Sequence, residues 1–141
     1  MSTTLVLGYD ASPSANAALT QTLTLAPELG AEVVVVFGYY ISPLGGQGAP
    51  DFRSALERIG TDALARASTE LRAAGIQVTT KLVAHRPAEA ILDVAKEVGA
   101  RLIVVGTEGE NPITGAFLGS VVLKLVQRSS VPLLVVPTAG D

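Results

Sequence analysis

Five apolar runs of strand length alternate with four segments of helical period, and this alternation constrains the fold more than any other feature. The runs are Leu5–Leu7, Glu32–Phe37, Gln77–Val83, Leu102–Val105 and Pro132–Val136. Most have no polar face. Strands of that kind need cover on both sides, which a parallel sheet between two helical layers provides. The reading is an α/β chain, β-α-β-α-β-α-β-α-β, with an open five-stranded parallel sheet and helices on both faces.

The helical segments carry their own boundaries. Ser12-Pro13 reads as an N-cap followed by a proline at the first helical position. Ala15, Ala18, Leu19, Leu23 and Ala26 then share one face, and Gly30 stops the helix. A second helix is predicted from Phe52 to Ala74, with Leu56, Ile59, Ala63, Ala67, Leu71 and Ala74 inward and Gly75 at its end. Pro87 opens a third, with Ala88, Ile91, Leu92, Ala95 and Val98 on one side and Gly99 closing it. A short fourth helix begins at Gly119-Ser120. The Gly38–Pro50 stretch is long for a connection in such a domain. It suits either a plain loop or a lid on the ligand side.

Composition removes several classes of function. The 141 residues suit one domain over 1–141, and with only 16% charged residues general disorder is excluded. The 10 basic and 13 acidic residues leave no broad basic footprint, so nucleic acid is not an expected partner. Cysteine is absent and there is one histidine, which excludes disulfides, thiolate sites and a multi-histidine zinc site. The start carries no basic n-region with a long apolar core, and no run could span a bilayer. A cytoplasmic protein without a membrane partner is expected.

Right-handed crossovers leave two common strand orders, 3-2-1-4-5 and 2-1-3-4-5. In either, ligands sit beyond the carboxyl ends of the strands where the winding reverses. In the first order that point lies between strands one and four. The loops after those strands, Gly8–Ser12 and Gly106–Ser120, are the richest in glycine and small polar residues, which favours 3-2-1-4-5. Gly106, Gly109 and, after nine residues, Gly119-Ser120 form the strongest local signal. Gly106 clears the end of a strand, and Gly109 permits positive φ. The helix start at Gly119 and Ser120 offers unpaired N–H groups to a phosphate. The plainer alternative is a tight loop and a helix start. For Asp10 it is a turn cap, and for Ser12 simply the N-cap.

With these residues on the page, the chain resembles the universal stress proteins of the adenine-nucleotide-binding type. The glycine spacing fits that family, as do Val6-Leu7-Gly8-Tyr9-Asp10-Ala11-Ser12, Pro87-Ala88-Glu89-Ala90-Ile91, Leu102–Gly106 and Val131–Val136. The resemblance implies order 3-2-1-4-5 and ATP or another adenine nucleotide at the switch point, with or without Mg²⁺. It implies that Asp10 approaches the nucleoside, that Val36 and Phe37 line the adenine pocket, and that Gly8, Ser12 and Val121 belong to the same binding site. It assigns the phosphates to Gly106, Gly109, Gly119 and Ser120. It also implies a homodimer through the last strand and at most slow ATP hydrolysis.

Two features depart from the family pattern. Glu108 stands where many members have Arg or His, with Glu110 next to it, and Ala84-His85-Arg86 replaces a common glycine before the helix proline. A carboxylate ~4 Å from a phosphate charge costs about 1–4 kcal/mol, depending on dielectric, unless a divalent cation bridges them. An interaction module that has lost nucleotide binding is therefore the alternative to a nucleotide-binding stress or signalling protein. A small metal-assisted hydrolase using Asp10 is a third. The chain lacks the Gly-x-x-x-x-Gly-Lys-Ser/Thr loop of P-loop enzymes and the Gly-x-Gly-x-x-Gly turn of dinucleotide dehydrogenases.

Overall fold

A computed structural model describes residues 3–41, 49–108 and 119–138. The elements are β1 (Thr3–Gly8), α1 (Pro13–Leu29), β2 (Ala31–Gly38), α2 (Ala49–Ala73), β3 (Val78–Val83), α3 (Pro87–Val98), β4 (Leu102–Gly106), α4 (Ser120–Arg128) and β5 (Leu133–Val136). The five strands form one parallel sheet in the order β3-β2-β1-β4-β5. The expected order 3-2-1-4-5 is the observed one.

Alternate side chains of the central strands enter two separate cores. Leu5, Leu7, Val33, Val35, Phe37 and Val104 pack with α1 and α2 on one face. Val6, Val34, Val36, Ile103 and Val105 pack with α3 and α4 on the other. The strand period of two thus delivers an apolar side chain to each layer at every step. The edge strands differ. On β3, Thr79, Thr80 and Leu82 are exposed, and every residue of β5 is only half-buried.

Local chemistry accounts for the helix ends. The Ser12 hydroxyl accepts from the Ala15 N–H at 3.1 Å, and Pro13 occupies the first turn of α1. Gly30 and Gly99 close α1 and α3 in the left-handed region, at φ 62° and 63°. On α2 the expected inward face is partly wrong. Ala63, Ala67 and Leu71 are buried, but Ile59 is 51% exposed, and Ala74 lies past the helix end and is exposed. Gly60 takes the inward position instead. A Cβ there would lie 2.5 Å from Leu82 Cδ1 and 2.7 Å from Phe37 Cδ1, so the missing side chain lets the helix settle onto the sheet. Among the described residues no helix is long and apolar enough to cross a membrane.

Candidate functional site

A cleft opens at the carboxyl ends of β1, β2 and β4, where the sheet winding reverses. It encloses about 580 Å³ of atom-free space, part of which is open solvent. Gly8, Tyr9 and Asp10 come from the β1–α1 turn, Val36, Phe37 and Gly38 from the end of β2. Val105, Gly106 and Glu108 follow β4, and Gly119, Val121 and Val122 open α4. Pro87 and Ile91 of α3 complete the wall, with Ala15 of α1.

The β1–α1 turn is held tightly. The Tyr9 N–H donates to the Val36 carbonyl at 3.0 Å, and an Asp10 carboxylate oxygen accepts from the Ser12 N–H at 3.0 Å. Between them Ala11 adopts φ 65°, a left-handed conformation that costs a non-glycine residue about 1–2 kcal/mol. The Tyr9 hydroxyl donates to Asn16 Oδ1. Burial pushes the Tyr9 phenol above its ordinary value, against the opposing charge of Arg66, so at neutral pH it remains a neutral donor.

The β4–α4 connection is closed at its base. The Gly119 N–H donates to the Thr107 carbonyl at 2.7 Å. Ser14, buried on the first turn of α1, accepts from the Glu108 N–H at 3.0 Å and lies 3.4 Å from the Thr107 hydroxyl. Ser14 can approach that closely because Gly106 has no side chain. A Cβ on Gly106 would overlap the Ser14 hydroxyl and carbonyl oxygens. Gly8 has a similar function on the opposite wall, where a Cβ would lie 2.6 Å from Ile91 Cδ1. Gly119 is the N-cap of α4 and provides no side-chain cap. The first N–H groups of α4 therefore begin at the cleft wall, beside Glu108.

Of the residues anticipated from sequence, Gly8, Asp10, Val36, Phe37, Gly106, Gly119 and Val121 line this cleft. Ser12 and Ser120 do not. The Ser12 hydroxyl is committed to capping α1, and Ser120 is exposed at the first position of α4. Gly109 and Glu110 lie outside the described residues, as does most of the Gly38–Pro50 stretch. Tyr39 is buried, its hydroxyl donating to Glu57 at 2.6 Å, and Tyr40 lies under the Arg86 guanidinium at 4.2 Å. His85 is exposed, with Nδ1 accepting from the Arg86 N–H. Sequence reasoning missed Ser14, Gly38 and Ile91. Gly38 and Ile91 carried a usable signal, since each lies at the carboxyl side of the sheet. Ser14 carried none.

A five-stranded parallel sheet in this order, with a glycine-lined cleft at its switch point, defines the class of α/β ligand-binding domains. The chain belongs to the universal stress protein family, whose model matches residues 1–137. A universal stress protein of Thermus aquaticus is 37% identical over 139 residues, covering 94% of this chain and 97% of that protein. The structure of protein MJ0577 of Methanocaldococcus jannaschii superimposes with a TM-score of 0.90 at 22% identity, covering 100% of this chain and 99% of that one. A universal stress protein described as a complex with cAMP is 28% identical, with a TM-score of 0.75 over 97% of this chain and 98% of that one.

Proposed function

We propose that this chain is an adenine-nucleotide-binding stress or signalling protein that acts as a cytoplasmic homodimer. The observation that carries the reading is the cleft itself. Its base is the switch point, Gly8 and Gly106 line it, and the N-terminus of α4 opens beside it. The similar structure in complex with cAMP supports an adenine ligand in a fold of this kind. In this reading Val36 and Phe37 flank the base, Asp10 meets the ribose, and a phosphate lies toward Gly119 and Val121. Ser12 supports the turn, and Ser120 contributes from the exposed side of the helix start. ATP, ADP and AMP, with or without Mg²⁺, are the candidate ligands.

The reading assigns binding rather than efficient turnover. Dimerisation is assigned to β5, an apolar edge strand whose four residues are all half-buried. Such an edge favours pairing with a second copy.

Calorimetry with ATP, ADP, AMP and cyclic AMP, each with and without Mg²⁺, tests the assignment. Saturable heat with one ligand per chain is expected. Absence of heat and of any thermal shift with all four would refute it and leave the alternative, an interaction module without nucleotide. Light scattering tests the dimer, and a monomer at every concentration would contradict it.

A further inference from the structure

The cleft is acidic. Asp10 and Glu108 line it, and among the described residues no lysine, arginine or histidine does. The connection from Leu102 to Leu123 contains no basic residue in its entire sequence, only Glu108 and Glu110. Three basic side chains of α4 and of the turn before α3 are engaged with other groups. Lys124 and Arg128 approach Glu89 at 4.0 and 3.1 Å, and Arg86 lies over Tyr40 at 4.2 Å.

Glu108 is also held in place. Its N–H donates to Ser14 Oγ, and the preceding carbonyl accepts from Gly119. Its backbone therefore cannot withdraw from the start of α4 without breaking two hydrogen bonds, one of them to a buried hydroxyl. A phosphate drawn to the α4 N-terminus meets this carboxylate.

We infer that Glu108 is a charge filter, restricting the cleft to adenine ligands with no more than one phosphate, free or cyclic, unless a divalent cation accompanies the ligand. This rests on the adenine-ligand reading above and narrows it to a substrate class. Each further phosphate charge within ~8 Å of the carboxylate weakens binding by roughly two- to thirtyfold, across effective dielectrics of ~80 to ~20. The helix N-terminus offers at most partial compensation, because its effective charge is only about half a unit.

The test is calorimetry of the wild type, Glu108→Gln and Glu108→Arg with adenosine, AMP and ATP in the presence of a chelator. Glu28→Gln, an exposed change on the last turn of α1, controls for net charge. The wild type is expected to bind AMP at least about fourfold tighter than ATP. Glu108→Gln should shrink that ratio severalfold and Glu108→Arg should invert it, while adenosine stays within about twofold throughout. Added Mg²⁺ should narrow the wild-type gap. ATP binding as tightly as AMP in the chelated wild type, which needs no variant, would overturn the filter. So would an AMP-to-ATP ratio unmoved by Glu108→Gln. If adenosine and AMP bind but the ratio stays flat, only the filter fails. If no adenine compound binds the wild type, the adenine reading fails and the filter with it.

Discussion

Replacing Gly106 with alanine should destabilise this protein far more than the same change at Gly8, although both glycines end strands and both line the cleft. At Gly106 the added Cβ meets the Ser14 hydroxyl and carbonyl oxygens, and lies 2.5 Å from the Ser14 carbonyl carbon. Two of these atoms are backbone, in the first turn of a helix anchored by its Ser12 cap. No rotamer change can relieve them, so α1 has to move away from β4. Overpacking of this kind costs about 1–3 kcal/mol or more. The shift also breaks the Ser14–Glu108 hydrogen bond and leaves a partly buried N–H unpaired, about 1–3 kcal/mol further. The total, about 2–6 kcal/mol, is a large part of the 5–15 kcal/mol typical of a domain. At Gly8 the Cβ meets Ile91 Cδ1 at 2.6 Å and Val105 Cγ1 at 3.1 Å, both side-chain ends. That cost should be about 1–2 kcal/mol. The assay is urea unfolding followed by circular dichroism, in a double-mutant design. Ile91→Val removes the obstructing methyl and should rescue part of Gly8→Ala. Ser14→Ala should not rescue Gly106→Ala, because the carbonyl atoms remain. A Gly106→Ala variant within about 1 kcal/mol of the wild type, or one restored by Ser14→Ala, would refute the reasoning.

The left-handed Ala11 predicts a stabilising change. Ala11→Gly removes about 1–2 kcal/mol of strain and returns about 0.4–1 kcal/mol to the unfolded chain's entropy, so a thermal midpoint higher by roughly 1–3 °C is expected. An unchanged or lower midpoint would count against the strain. Ser12→Ala removes the α1 cap and should cost about 1 kcal/mol in urea unfolding. A loss of binding out of proportion to that cost would give Ser12 a direct role at the ligand. Glu89 gives the pH prediction. Its own backbone N–H, then Lys124 and Arg128, hold its carboxyl below the ordinary 4.5 against the opposing effect of burial. A lowered folded value means stability present above about pH 4.5 and lost as pH falls through that lowered value. The wild type should therefore exceed Glu89→Gln in urea midpoint at neutral pH, and the gap should close in acid. A gap independent of pH would show that the charge contributes nothing.

Much of the architecture was legible because its causes are local. Apolar runs without a polar face need cover on both sides, and Ser12-Pro13, Gly30 and Gly99 mark helix ends through the backbone of their own neighbours. The clustering of Gly8, Asp10, Gly106 and Gly119 also followed, since parallel strands put every strand's carboxyl end on one edge of the sheet. The tertiary structure alone decided what those residues are packed against. Gly106 is read from sequence as clearance for a ligand, yet its bare face is filled by Ser14, which lies far earlier in the chain and carries no sequence signal of its own. Ile59 fits the apolar period of α2, but Gly60 faces the sheet because Leu82 and Phe37 need the room. Lys124 and Arg128 stay largely in solvent, as the polar side of a short helix suggests, yet only the packing of α4 beside α3 brings both to Glu89. Periodicity and capping are properties of a few consecutive residues, so the sequence by itself determined the elements, their order and the edge of the sheet that holds the site. Close contacts between residues far apart in the chain depend on how the layers settle against one another, and only the folded structure decided those.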